Sequence, residues 1–228
     1  LFPQFPNVFT MRGEKIRKPV EYINSLERIM ALGPKMIVPS HKDPITDEAV
    51  ITGGLVKMRD ATRYVHDAVI EGMNAGKTVE QLMAEINLPD ELKLTQEHGR
   101  VSWAVKSIWE YYATWFHFDK TTELYPVPVK SVYGDIVELA GAQALTQKAR
   151  DHAAASEPLK ALHLVDMVLE AEPQFGAALR VREDALSQLL EGAKTGLNNS
   201  YEIYWLNYRI RDTQDSLQAI EAAQSSSD

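Results

Sequence analysis

From Thr46 onward the apolar residues of this chain fall at helical spacing, and the segments are separated by glycine and proline rather than by strand-forming runs. Thr46 and Asp47 are placed to cap a helix running to about Met73, which the Asn74-Ala75-Gly76 stop closes. Thr78 caps the next, striped by Val79, Leu82, Met83 and Ile86 and broken at Leu88-Pro89. A third helix is predicted over about 99–116, dense in Trp103, Trp109, Tyr111, Tyr112, Trp115 and Phe116. After a loop holding Pro126 and Pro128, helices are predicted near 131–140, 142–154, 157–171, 174–191 and 198–222. Ala161, Ala171, Pro173 and Ala178 mark 157–191 as a tetratricopeptide-like hairpin, with Pro173 starting its second helix; one unit is not an array.

The first 45 residues read differently. Pro19 opens a helix carrying Tyr22, Leu26, Ile29 and Met30, and Gly33-Pro34 ends it. Met36 to Pro39 reads as a short buried strand, followed by the loop of Ser40 and His41. Helix, strand and loop together make an α/β signature, so the predicted organisation is an α/β part over 1–46 and a helical domain over 47–228. The chain opens abruptly on Leu1, in LFPQFPNVFT, which reads as an internal start left by fragmentation or processing.

Charge narrows the partners. The 228 residues carry a net −8, which argues against general nucleic-acid binding. Residues 1–45 hold seven Lys/Arg against four Asp/Glu, net +3, leaving −11 for the rest, and a basic segment on an acidic chain can mark an anion site. No apolar run approaches the roughly 20 residues of a membrane span. There is no cysteine, so thiolate metal sites and thiol nucleophiles are excluded.

Candidate chemistry is sparse. His41 leaves the carboxyl end of the predicted strand, where open α/β sheets place ligands, and reads as a metal ligand, a general base or a plain loop residue. In NVFTMRGEKIR, alternation in an extended chain puts Thr10 and Arg12 on one side, and with Asn7 they offer donors to sulfate, phosphate or carboxylate; a structural ion pair of Arg12 is the alternative. Arg63 and Asp67 are spaced to pair on a helix, and His66 between them reads as structural. The other histidines are scattered, and the aromatic helix reads as core or as a pocket wall. G-x-S-x-G, the P-loop, the dinucleotide fingerprint and H-E-x-x-H are all missing from the sequence.

FPNVFTMRGEKIR, VPSH, MRDATRYVHD and SIWEYYATWF, in this order and spacing, resemble the linear alkyl sulfatases, which are metallo-β-lactamase-fold enzymes with an added helical dimerisation domain. The family form N-L-Y-T-L-R-G is met by Asn7, Thr10, Arg12 and Gly13; R-D-x-x-x-Y-x-H-D is met by Arg59, Asp60, Tyr64, His66 and Asp67. The closing YWLNYRIRD resembles the end of the dimerisation domain.

The resemblance implies a sulfuric ester hydrolase with two zinc ions, in which His41 is the last histidine ligand. It implies sulfate contacts from Asn7, Thr10, Arg12 and a tyrosine of the aromatic helix, best matched by Tyr112. It also implies a homodimer, a small sulfate-ester substrate and an upstream half of the metallo-β-lactamase domain that supplies most zinc ligands, without which the chain is incomplete as an enzyme. A periplasmic or secreted location is expected over a cytoplasmic one. Another anionic ester, such as a phosphoester, or a non-catalytic dimerising scaffold are the alternatives. The sequence departs from the family pattern at WFHFDKT, 115–121, where W-F-D-G-N-P is usual, and at Lys18, where an acid is usual.

Overall fold

The computed structural model describes residues 2–9, 11, 15–40 and 42–225. The chain forms two compact units: residues 1–117 with 199–201, and residues 118–198 with 202–228. Position 46 falls inside the first unit, because the helix before it packs on the helix after it.

In the first unit, α1 (Pro19–Ala31) starts on a proline, whose missing N–H costs nothing in a first turn, and Gly33 (φ +56°) closes it by donating to Met30 O. Asp47 caps α2 (Glu48–Asn74) by accepting from Ala49 N and Val50 N, at 2.9 and 3.1 Å. Thr78 and Gln81 form a reciprocal capping box on α3 (Val79–Glu85). The Gln96 amide oxygen accepts from Val101 N at the start of α4 (Val101–Ala113). Ala61, Val65 and Val69 repeat every fourth residue along α2 and are fully buried with Ala104, Val105 and Ile108 of α4, Leu82 of α3, and Phe5 and Val8 from the N-terminal segment. Leu26 of α1 joins Ile51 and Leu55 of α2 in a second cluster, with Phe2, Tyr22, Ile37 and Ile45 packed against it. Asn199, fully buried, donates to Gln96 O (2.7 Å) and accepts from Tyr201 N (3.1 Å), fixing residues 199–201 to this unit.

Three expectations need correction here. The strand at Met36–Pro39 is a single antiparallel bridge between Ile37 and Ile45, and a parallel bridge joins Gln4 to Thr95; no strand occurs among the described residues. A strand needs a ladder partner on its open side, and Met36 and Val38 are exposed. The described residues are therefore mainly helical, and the α/β part is not seen as a sheet. The aromatic helix ends at Ala113 rather than 116, because Thr114 takes φ +64°, ψ −156°, outside any helical conformation and in a region that favours glycine.

The second unit contains α5 (Tyr133–Ala140), α6 (Ala142–Ala154), α7 (Pro158–Ala171), α8 (Gly176–Thr195) and most of α9 (Ser200–Ser225). Ala149, Ala161, Ala178 and Ala185 are fully buried beside Val165 and Val168, and such small side chains let helices approach closely. The α7–α8 hairpin forms as expected. Its second helix starts at Gly176, however, with Pro173 left in the turn where Phe175 N donates to Glu172 O. Gln214 of α9 donates to Glu183 of α8 at 2.6 Å, and Leu206 packs beside Leu186. Between Phe118 and Val132 the large apolar side chains face outward, including Phe118 (86% exposed), Tyr125, Val127 and Val129 (77% exposed). Among the described residues no helix is long and apolar enough to cross a membrane.

Adjacent glycines of α2 test the packing. Gly53 faces open space, whereas a Cβ on buried Gly54 would overlap the Phe2 ring. Gly53→Ala is expected to raise stability by about 0.5–1 kcal/mol. Gly54→Ala is expected to lower it by about 1–3 kcal/mol. Denaturant unfolding of the two variants reads the opposite signs.

Candidate functional site

The α2–α4 core sets the geometry of a polar cluster at its edge. Tyr112 lies in the last turn of α4, and its hydroxyl is 2.9 Å from His66 Nε2 on α2. The rings meet edge-on at 5.8 Å. His66 Nδ1 is 2.7 Å from Asp67 Oδ1, and the His66 side chain is only 15% exposed. Asp67, His66 and Tyr112 thus form one hydrogen-bonded line. Burial is the main cause that raises the Tyr112 hydroxyl pKa above its ordinary value, assisted by Tyr111, Glu21 and Asp67.

Next to this line, Tyr111 meets Tyr112 edge-on at 5.0 Å, and Lys18 Nζ lies 5.6 Å from the Tyr111 ring centre. Lys18 also pairs with Glu21 at 3.4 Å. That hydrogen bond to Glu21 leads the causes raising the ammonium above its usual range, followed by Tyr111. Lys18 therefore places a positive charge, paired with Glu21, beside the tyrosine pair.

Asn7 lines a cavity together with Lys18. Its carbonyl accepts from Arg17 Nη1 (3.0 Å), and Arg17 N donates to Val8 O (3.0 Å), so Arg17 is held beside residues 7 and 8. Gln4, Asn7, Arg17, Lys18, Tyr22 and Met58 line a cavity of about 240 Å³ there. The side-chain oxygens of Gln4 and Asn7 are buried without a hydrogen-bond partner among the described residues. Of the sequence-predicted residues, Asn7 shares this cavity wall with Lys18, and Tyr112 lies beside Tyr111, over whose ring Lys18 stands. Thr10, Arg12 and His41 lie outside the described residues.

The loop that carries His41 borders a second cavity, of about 580 Å³, lined by Gln4, Ser40, Lys42, Asp43 and His98 among others. His98, which the sequence left among scattered histidines, has Nδ1 buried and unpartnered among the described residues, with its ring edge-on to Tyr201 at 5.8 Å. Among the described residues no three of His, Asp and Glu gather to hold a metal ion. These residues on their own do not fit a zinc site.

The predicted Arg63–Asp67 pair is replaced. Arg63 reaches across to Glu27 of α1 at 2.7 Å, and Asp67 turns to His66. Glu27 on the neighbouring helix is the less exposed of the two carboxylates and takes the arginine. The His66–Tyr112 contact spans 46 positions, so nothing local in the sequence marked it. The adjacent His66-Asp67 pair was the readable signal.

A family model for alkyl sulfatase dimerisation matches residues 78–208, which is more than half of the chain. The chain belongs to the alkyl sulfatase dimerisation family. A linear primary-alkylsulfatase from a Pseudomonas strain is 33% identical over 144 residues, covering 61% of this chain and 27% of that protein. A second linear primary-alkylsulfatase from Pseudomonas sp. is 26% identical over 218 residues, covering 92% of this chain and 31% of its own length. The solved structure of a stereoselective inverting sec-alkylsulfatase from Pseudomonas sp. superposes with a TM-score of 0.79 at 20% identity, covering 96% of this chain and 34% of that one. This alkyl sulfatase family chain therefore spans about a third or less of the length of the relatives it matches.

Tyr22, in the wall of the smaller cavity, has its hydroxyl pKa pushed up to about 12 by burial. The unfolded chain gives up that proton near pH 10, so the contribution of Tyr22 is intact below pH 10 and lost as pH rises towards 12. Tyr22→Phe is expected to remove a loss of about 2–3 kcal/mol over that interval. Urea unfolding of both proteins at alkaline pH checks it.

Proposed function

We propose that this chain is the dimerising part of a sulfate-ester hydrolase and lends sulfate-contacting side chains to its active site. The family match over 78–208 carries this reading. The described geometry supports it: Asn7 and Lys18 line one cavity, and the Lys18 ammonium, paired with Glu21, lies over the Tyr111 ring next to Tyr112. In this reading Asn7, Thr10, Arg12 and Tyr112 surround the sulfate group. Arg12 neutralises it through its planar fork of donors, and Thr10, Asn7 and Tyr112 orient it. Hydrolysis releases an alcohol and inorganic sulfate. Zinc bound at the complete site would supply an activated water. His41 is proposed as one ligand, with the remainder outside this chain.

The same reading makes the chain a homodimer. The outward apolar side chains of 118–132 lie within the matched dimerisation region, and a second copy is the proposed cover for them. Light scattering is expected to report a dimer. Phe118→Asp combined with Val129→Asp is expected to shift it to monomer without loss of helical circular dichroism. A dimer unchanged by the double substitution places the interface elsewhere.

Sulfate release from dodecyl sulfate tests the activity, using this chain co-produced with a metallo-β-lactamase half and supplied with zinc. Arg12→Ala and Tyr112→Phe are each expected to lower kcat/KM by roughly tenfold to a hundredfold, the loss of a strong hydrogen bond to a charged group. No release by the loaded wild-type assembly overturns the sulfatase reading.

A further inference from the structure

We propose that His66, oriented by Asp67, is a positioning residue that sets the direction of the Tyr112 hydroxyl, so that Tyr112 donates to an anion only when His66 is protonated. The inference rests on the reading of Tyr112 as a sulfate contact.

Hydrogen-bond chemistry fixes the roles. The Asp67 carboxylate has only lone pairs to offer, so the proton in its 2.7 Å contact with His66 sits on Nδ1. A neutral imidazole carries one N–H, which leaves Nε2 with a lone pair. That lone pair faces the Tyr112 hydroxyl at 2.9 Å and accepts its proton. Tyr112 then turns only oxygen lone pairs outward, which repel an anion. When His66 takes a second proton from solvent, Nε2–H becomes the donor. The Tyr112 oxygen accepts from it, and the phenol O–H is released to point outward. The tyrosine itself stays neutral throughout, with its pKa held up by burial.

The charged and titratable neighbours of this line come from three helices. Asp67 and Arg63 lie on α2, with Arg63 already paired to Glu27 of α1. Glu21 and Lys18 sit at the start of α1 and pair with each other. Tyr111 stands beside Tyr112 on α4. Asp67 is thus the carboxylate in direct contact with the imidazole, and Lys18 is the cation closest to the tyrosine pair among these groups. An incoming anion completes a charge pattern in which imidazolium, phenol and lysine all favour it.

Calorimetric binding of inorganic sulfate to the assembled enzyme, at one lower pH where nitrogen NMR shows the His66 imidazolium and one higher pH where it shows the neutral ring, tests this. In wild type, Tyr112→Phe is expected to weaken sulfate binding about tenfold at the lower pH, a typical loss for a hydrogen bond to a charged group, and hardly at all at the higher. His66→Gln places an amide donor that does not titrate where Nε2–H stood. In that background the Tyr112→Phe penalty is expected at both pH values, a result that a merely structural histidine would not give. Nitrogen NMR of the wild-type imidazole is expected to show the Nδ1–H tautomer in the neutral form. A neutral Nε2–H tautomer, or a Tyr112→Phe penalty equal at both pH values in wild type, overturns the inference and leaves the sulfatase reading standing. Absence of sulfate binding at either pH counts against the sulfatase reading itself, and the inference falls with it.

Discussion

The contact between α2 and α4 is the constraint on which the rest of the first unit depends. Ala61, Val65 and Val69 meet Ala104, Val105 and Ile108 with essentially no exposed surface. An interface this dry and this finely stepped has few alternative registers, since a helix turned by one residue rotates each side chain by about 100°. Such a turn of α4 would swing Tyr112 off His66 and remove Tyr111 from Lys18. The polar cluster at the edge of the core is therefore positioned by apolar packing. Its own hydrogen bonds trim the geometry; they do not create it.

Helix limits were legible wherever a local device sets them. Asp47, Thr78, Gly33 and Gly76 act through backbone groups two to four residues away, and the sequence shows such spacings directly. The end of α4 was not legible, because Thr114 adopts a conformation that its β-branched side chain disfavours, and only surrounding structure can enforce that. The strand at Met36–Pro39 failed for a related reason. Local apolar character was present, but a ladder is a property of two segments, and only Ile37 finds a partner. Of the candidate site, residue types and the family resemblance singled out Asn7 and Tyr112, together with Thr10, Arg12 and His41 outside the described residues. That Asn7 shares a cavity wall with Lys18, and that Lys18 meets Tyr111, belongs to tertiary structure. The contacts of His66 were not legible, because its Tyr112 partner comes from another helix and Arg63 pairs with Glu27 instead of Asp67.

The placement of α1 has a parallel logic. Sequence character divides the chain near residue 46, where predicted α/β gives way to helices. Burial instead joins the two sides, since Leu26 shares a cluster with Ile51 and Leu55, and Ile37 and Ile45 seal it. A compact unit is defined by which apolar faces close on each other, and composition along the chain is only a guide to that. In the second unit the two criteria agree, because its alanine-rich helices are consecutive and pack with their sequence neighbours.

The outward apolar stretch between Phe118 and Val132 bears on how the protein comes into being. Where a second copy is the cover proposed above, a newly made chain presents this surface from the moment its second unit closes until that copy is found. During that interval it is a substrate for chaperones and a seed for promiscuous clumping, and both hazards fall as the mate becomes more abundant. Yield in a cell should therefore depend steeply on how close together the copies are translated, with neighbouring ribosomes on one message offering the safest supply.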